Sequence, residues 1–443
     1  MTPTLFDLSQ AVDIADSVVG LARAKGLAAA VSLNGGEGLS VAVRQGEVET
    51  LEHHRDKRVH VTVYDGQRKG SASTSDFSRA ALAETVNAAA AIARLTEADP
   101  WAGLLDARYL AREIPDLDLD HPWEISAEEA IALALRCARS AETSSPEVSQ
   151  VDEAGVSHYR ALHAYATTSG FASGYRWTRH GLNCIVVGAR DGAMQRGYWF
   201  SSARRASELE SPEAVGELAA ARAVAKLGAK RISTRRAPRR RPARVASGLL
   251  GALMGAISGG NLYREASFLR GAAGTRILPA FVDLDEEPHL PGALGSAPFD
   301  AEGAATRSRR RIEAGVLTGY LLDGYSARRL GLEPTGNAGG PHALHLRGGE
   351  GDLDTLLKRM GSGLLVTDLM GQGSNLLTGD YSRGAAGFWV EDGAIAYPVE
   401  EITIAGNLRD MFQSLMALGG DIETRGSVHT GSWLIDGMTI AGE

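Results

Sequence analysis

Histidines, acids, one serine and two cysteines are the residues of this chain whose types could do chemistry, and their spacing decides which chemistry is open to them. His342 and His345 lie three apart, and His289 follows the acids Asp283, Asp285, Glu286 and Glu287. Imidazoles so spaced suit zinc, which also needs a third protein ligand and an ordered outer shell. Gly339 and Gly340 precede the pair and place it in a loop or at a strand start. Hydrogen-bonded loop histidines are therefore the plainer reading. The acids do not make an EF-hand loop, because Pro288 stands where that loop needs its glycine. A serine nucleophile fares no better: Asp380-Tyr381-Ser382-Arg383-Gly384 approaches a nucleophile elbow, but aspartate replaces the first glycine and no strand-to-helix pattern surrounds it. Cys184 sits in the apolar run LNCIVV and Cys137 among alanines, so both read as small buried hydrophobes. The sequence holds no His-Glu-x-x-His, no Walker A loop and no Gly-x-Gly-x-x-Gly.

The element that must position any site in the second half of the chain is Val245–Leu262, VASGLLGALMGAISGGNL. Leu249, Leu250, Leu253, Met254 and Ile257 recur at helical spacing, while Gly251, Gly255 and Gly259 fall four apart on one face. Glycine costs about 1 kcal/mol against alanine inside a helix, so three on one face predict a second backbone packed closely against them. The run is too short and too interrupted to span a bilayer. It reads as a buried helix without an ionisable residue.

Before it, Leu5–Lys25 has the period of an amphipathic helix, and residues 28–70 alternate as an antiparallel meander with Gln-Gly and Asp-Gly turns. Asp76 is placed to cap a helix running to Arg94, and residues 98–122 form a loop taken as a subdomain boundary. Ser126-Ala-Glu-Glu129 is a capping box for a helix to about Glu142, β-like runs follow, and Ser211-Pro212 opens a helix ending near Leu227. Lys230–Arg244, KRISTRRAPRRRPAR, contains two prolines and no aromatic residue to stack on bases. It reads as a solvated connection rather than a nucleic-acid patch. The rest is glycine-rich and β-like, with Leu353–Gly361 as its one convincing helix. These elements give an α+β chain: an N-terminal α/β region of helices and antiparallel sheets over residues 1–120 and 121–230, then a large mostly-β domain over 231–443.

With 443 residues, 44% apolar and 23% charged, the composition is that of a soluble globular protein with two or three domains. A net charge of -8 argues against nucleic acid as the general partner. Two cysteines without pair-like spacing give no disulfide framework, which points to a reducing compartment, and MTPTLFDLSQ lacks the features of a signal peptide. The expected location is the cytoplasm, with no membrane role.

The C-terminal part resembles a known family. Met370–Phe412, MGQGSNLLTGDYSRGAAGFWVEDGAIAYPVEEITIAGNLRDMF, and DIETRGSVHTGSWLIDGMTIAG from Asp421 are similar to the signature of the PmbA/TldE family. Ser258–Leu269, His289–Gly303 and Leu321–Gly340 extend the resemblance. That family implies pairing with TldD-type subunits, as a heterodimer or higher assembly, in a cytoplasmic zinc metalloprotease. The protease is implicated in peptide maturation, antitoxin degradation and modulation of DNA gyrase. In the TldD branch a helix at this point carries His-Glu-x-x-x-His, which binds zinc and supplies the general base. Laid on this chain, the motif puts Gly251 and Ala256 at the histidines and Ala252 at the glutamate. The resemblance thus implies no metal and no catalytic residue here, zinc in the TldD-type partner, and an unfolded peptide as substrate. Alone, the chain could form a homodimer.

Gly379–Ile404 is the candidate wall of a peptide groove, with Asp380, Tyr381, Ser382 and Arg383 as contacts to peptide or partner. The alternative is a glycine-permitted hairpin in which Asp and Arg form a local ion pair. Two other functions stay open: a homodimeric metallopeptidase with ligands from His289, His342 or His345, and a gyrase- or nucleic-acid-binding protein acting through Arg235–Arg244.

Overall fold

A computed structural model describes residues 7–241 and 243–442, with backbone alone for 235–241, 243 and 244. The chain is α+β, and its N-terminal half is built on one sheet. The strands are β1 (Ala28–Arg44), β2 (Glu47–Asp65), β3 (Arg68–Thr74), β4 (Val148–Thr167), β5 (Ala172–Arg190) and β6 (Ala193–Ala203). They lie in the order β3-β2-β1-β4-β5-β6 with every neighbour antiparallel. β1 pairs with β4 from Ala30↔Thr167 to Val43↔Ala154, so the sheet runs unbroken across the sequence on both sides of the 98–122 loop.

Four helices cover one face of this sheet. α1 (Leu8–Arg23) and α2 (Arg79–Leu95) close a core with Val31, Leu33, Val61 and Leu162. α3 (Ala127–Thr143) and α4 (Pro212–Ala225) close a second core with Val41, Val156, Leu182 and Cys184. Local signals set their ends. Ser126 and Glu129 form the capping box that starts α3, and Ser211 caps α4 with proline in its first turn. α2 begins on Ser78 rather than Asp76, whose carboxylate instead accepts the Ser78 N–H at 2.8 Å. Cys137 of α3 faces Cys184 of β5 inside the second core, and that contact followed by burial pushes the Cys184 thiol up, away from reactivity.

The C-terminal half begins with β7 (Arg235–Arg241), α5 (Ala243–Ala256) and α6 (Gly259–Tyr263). β8 (Asp283–Glu286), β9 (Arg309–Glu313), β10 (Val316–Leu317), α7 (Gly324–Leu330), β11 (Leu344–Arg347) and α8 (Leu353–Met360) follow. β12 (Gly363–Met370), β13 (Asp380–Glu391), β14 (Ala394–Asn407), α9 (Leu408–Gln413), β15 (Leu415–Leu418), β16 (Val428–His429) and β17 (Trp433–Ala441) complete the chain. One sheet has the order β10-β9-β8-β11-β16 and the other β14-β13-β12-β7-β17-β15, with β14 also pairing β17 so that the second sheet closes on itself. Both pack on α5, whose Leu249, Leu250 and Leu253 are fully buried with Trp433 and Phe412.

Two sequence expectations change here. Lys230–Arg244 is not a solvated connection: residues 235–241 form an interior strand, parallel to β12 at Leu364↔Arg239 and antiparallel to β17 at Leu434↔Arg240. A strand is admitted to a sheet by its backbone hydrogen bonds, and residues 235–241 find theirs on both sides. The reading of Arg235–Arg244 as a nucleic-acid interface rests on side chains outside the described residues. Val245–Leu262 is likewise not one helix. It breaks after Ala256, where the Leu321 N–H donates to the Ile257 carbonyl, the Gly259 N–H donates to the Leu321 carbonyl, and the resulting Ser258–Leu321 bridge turns the chain into α6.

Candidate functional site

The break between α5 and α6 opens a cleft of about 460 Å³. Gly251, Met254 and Gly255 of α5 form one wall, and Gly259, Asp323, Ser326, Asn337, Gly340 and Leu344 contribute to the others. The glycine stripe is therefore closely packed at Gly255 and Gly259 and open at Gly251. A Cβ on Gly259 would collide with Ser326 of α7, one on Gly255 would meet Leu376, and one on Gly251 would meet nothing within 4 Å. The expected second backbone along the stripe is not found: side chains stand against Gly255 and Gly259, and Gly251 faces open cleft.

The three motif positions separate on this helix. Residues five apart sit about 140° apart at 3.6 residues per turn. Gly251 accordingly faces the cleft, Ala252 is half-buried, and Ala256 is 0% exposed in the core. Of the residues lining the cleft Asp323 is the one ionisable group, and its carboxylate is already used. It accepts the Ser326 N–H and the Ser326 hydroxyl, each at 2.6 Å, as the cap of α7. Zinc needs three protein ligands, and this lining does not fit it. Among the described residues no three of His, Cys, Asp and Glu converge as a metal-binding group.

The histidines singled out in the sequence go three separate ways. His289 Nε2 lies 2.8 Å from the Thr306 hydroxyl. His345 stands edge-on to His429 with ring centroids 4.4 Å apart and its Nε2 3.4 Å from Glu287. His342 is no loose loop residue: it is buried beside Glu286, which is 1% exposed. One oxygen of Glu286 accepts the His342 N–H at 2.9 Å, the Asn337 amide at 2.7 Å and the His342 ring Nδ1 at 2.9 Å. The other accepts Arg311 Nε at 2.6 Å. Burial pulls the Glu286 carboxyl up, but the His342 bond and the Arg311 charge outweigh it and hold the group at about 2. With its lone pairs committed, Glu286 is an ionised anchor and not a general base. Asn337 ties that anchor to the cleft wall, since its side-chain oxygen also accepts Arg311 Nη2 at 2.5 Å and the Thr335 hydroxyl at 2.7 Å.

A second carboxyl lies at the N-terminal end of α7. Glu302 accepts the Gly324 N–H at 2.7 Å, and burial, reinforced by Asp300 and Asp323, pushes it up to about 7. Its charge in turn adds to the burial that raises Tyr64 to about 12, and it is not among the residues that line the cleft. A group that titrates near neutrality but does not reach the cleft cannot exchange a proton with anything bound there. Sequence reasoning missed Arg311, Asn337 and Glu302 as members of these clusters. The one available signal was the acidic run containing Glu286, whose cation stands 25 positions away.

Asp380–Arg383 opens β13 at the base of a hairpin, and the four residues divide. Asp380 accepts the Thr378 hydroxyl at 2.7 Å and the Asn407 amide at 3.4 Å, which is not the local ion pair with Arg383. Tyr381 is 3% exposed inside the core, so it cannot touch a partner directly. Ser382 is exposed, and Arg383 is half-buried. The loop leading into the hairpin reaches the cleft helix, because the Leu376 carbonyl accepts the Phe268 N–H at 2.8 Å and its side chain rests on Gly255.

An α-helix-backed antiparallel sheet joined to a closed β domain, with a cleft poor in metal-ligating side chains at α5, defines a class that known families can be matched against. Family models for the PmbA/TldA metallopeptidase domains match residues 29–93 (domain 1), 120–227 (central domain) and 241–442 (C-terminal domain). The metalloprotease PmbA of Escherichia coli O157:H7 is 45% identical over 96% of this chain and 94% of its own. A crystal structure of a proposed modulator of DNA gyrase from Bacteroides thetaiotaomicron superposes with a TM-score of 0.93 at 26% identity, over 99% of this chain and 100% of that one. TldE from Thermococcus kodakarensis shares the fold, with a TM-score of 0.85 at 20% identity over 97% of this chain and 100% of its own. The chain belongs to the PmbA/TldE family.

Proposed function

We propose that this chain is the zinc-free subunit of a cytoplasmic TldD/TldE-type protease, and that it shapes a groove for unfolded peptides while a TldD-type partner supplies zinc and the general base. The observation that carries this reading is the cleft lining. α5 turns Gly251, Met254 and Gly255 to the cleft where a peptidase would need imidazole and carboxylate, and the one acid present caps a helix. What remains for such a subunit is to hold and exclude. A peptide in extended form is recognised by main-chain pairing with a strand, and the β13–β14 hairpin, with exposed Asp380 and Ser382 at its base, is the element offered for that wall.

The test is metal content and peptide cleavage, measured on the chain alone and after mixing with a TldD-type subunit from the same host. The chain alone should hold substoichiometric zinc and leave an unstructured peptide intact, and the mixture should cleave it in a chelator-sensitive way. Stoichiometric zinc at a defined protein site, or cleavage by the chain alone, would overturn the proposal.

A further inference from the structure

The first half of β2 is an edge that the described fold leaves open. β3 pairs with β2 only from Val59↔Thr74 onward, whereas β1 pairs with it from Glu47. Residues 47–58 therefore have a β partner on one side only among the described residues. Eleven of these residues are exposed, Thr50 being half-buried, and they include the apolar Val48 and Leu51. An open edge of this length is a template for another strand, and charged side chains are the common way of blunting it.

Protection by charge, however, needs no order of sign, and here the signs are sorted. Glu47, Glu49 and Glu52 occupy the end near the hairpin turn, and Arg55, Lys57 and Arg58 the end where β3 begins. The single exception, Asp56, is engaged within the chain by the Tyr159 hydroxyl at 3.4 Å. Glu47, Arg55 and Arg58 enter no ion pair among the described residues.

We infer that residues 47–58 are a self-pairing seam whose occupant is a second copy of this chain. Two antiparallel edge strands related by a two-fold axis normal to the sheet pair residues of equal parity, so both members of each pair project from the same face. With the axis at Glu52, Glu47 faces the partner's Lys57 and Glu49 the partner's Arg55. With the axis at His53, Glu49 faces the partner's Lys57. The register on Glu52 brings the two Glu52 carboxylates face to face on the axis, whereas the register on His53 also sets Glu52 opposite the partner's His54 and opposes no like charges, so the axis is placed at His53. The N-terminal sheets of two copies would join into one continuous sheet. The inference goes beyond the peptidase reading and stands or falls separately from it.

The full chain is tested by its mass in solution, measured by light scattering or sedimentation at low and high salt. Wild type should run at twice the chain mass and dissociate as salt rises, since the paired side chains lie at the surface. E47K/E49K and R55E/K57E should each run as monomers, and an equimolar mixture of the two should recover the dimer. The fourfold exchange E47K/E49K/R55E/K57E should restore self-association, which a merely misfolded variant would not do. A wild-type monomer at tens of micromolar, or a dimer unmoved by both reversals, would overturn the seam.

Discussion

Glu286 and Glu302 are sixteen positions apart and titrate in opposite senses because burial is answered by charge at one and reinforced at the other. Arg311 and His342 hold Glu286 ionised, so its contribution to stability is present above the ordinary carboxyl value of 4.5 and is lost as pH falls toward about 2. Glu302 runs the other way. Its folded value of about 7 lies above the unfolded 4.5, so the favourable protonated form is fully present below 4.5 and is lost as pH rises through about 7. E302Q, neutral at every pH and of similar shape, should therefore stabilise the chain at pH 8 by about 1–3 kcal/mol and leave it nearly unchanged at pH 4.5. Urea unfolding at the two pH values measures this; equal shifts at both would show that the carboxyl does not titrate in the folded chain. Glu286 stood out in the sequence as part of an acidic run, and Glu302 did not. Their opposite roles were not legible there, because each depends on groups brought in from distant segments by the fold.

At the scale of elements, what could be read locally was read well, and what depended on neighbours was not. The capping box at Ser126 and the proline at the start of α4 act within one turn, so their residues alone place the helix starts. β7 escaped because its arginines and its proline argue against a strand, while the apolar strands that admit it lie more than a hundred positions later. The glycine stripe was legible as a stripe but not as to what it faces. That difference has a measurable consequence. G251A adds a methyl to open space in a helix interior and should stabilise by up to about 1 kcal/mol. G259A drives a Cβ into Ser326 and should destabilise by about 1–3 kcal/mol through the α6–α7 contact. Thermal unfolding of the two variants decides it, and equal effects would mean that the stripe has one environment throughout.

For the molecule as a whole, the two halves share one small apolar cluster, in which Phe299 packs against Tyr165, Phe171 and Tyr175, and polar clamps hold them elsewhere. Arg425 stacks 3.7 Å over Trp199 of β6 and pairs with Glu210 at 3.3 Å, while Lys226 of the N-terminal half reaches Asp368 at 3.4 Å. Arg204 donates to the carbonyls of Ala293 and Leu294 at 3.3 and 3.1 Å. None of these pairings could be read from the sequence, since an arginine aimed at a backbone carbonyl leaves no pattern in either segment. The clearest case is Arg328 of α7, whose guanidinium donates to the Trp101, Gly103 and Leu104 carbonyls at 2.7, 2.9 and 3.3 Å. Tyr325, one turn earlier, binds Asp99 at 2.7 Å, so one short helix grips the connector between α2 and α3. A bond from a charged donor contributes about 1.5–3 kcal/mol, and carbonyls left near the interface without their donor incur a further cost. R328M keeps the stem and removes all three donors. It should lower stability by about 2–4 kcal/mol and raise hydrogen exchange first over residues 99–104, ahead of the sheet cores. If exchange rose uniformly instead, the connector would be held by its own loop structure, and α7 would not be what fixes it.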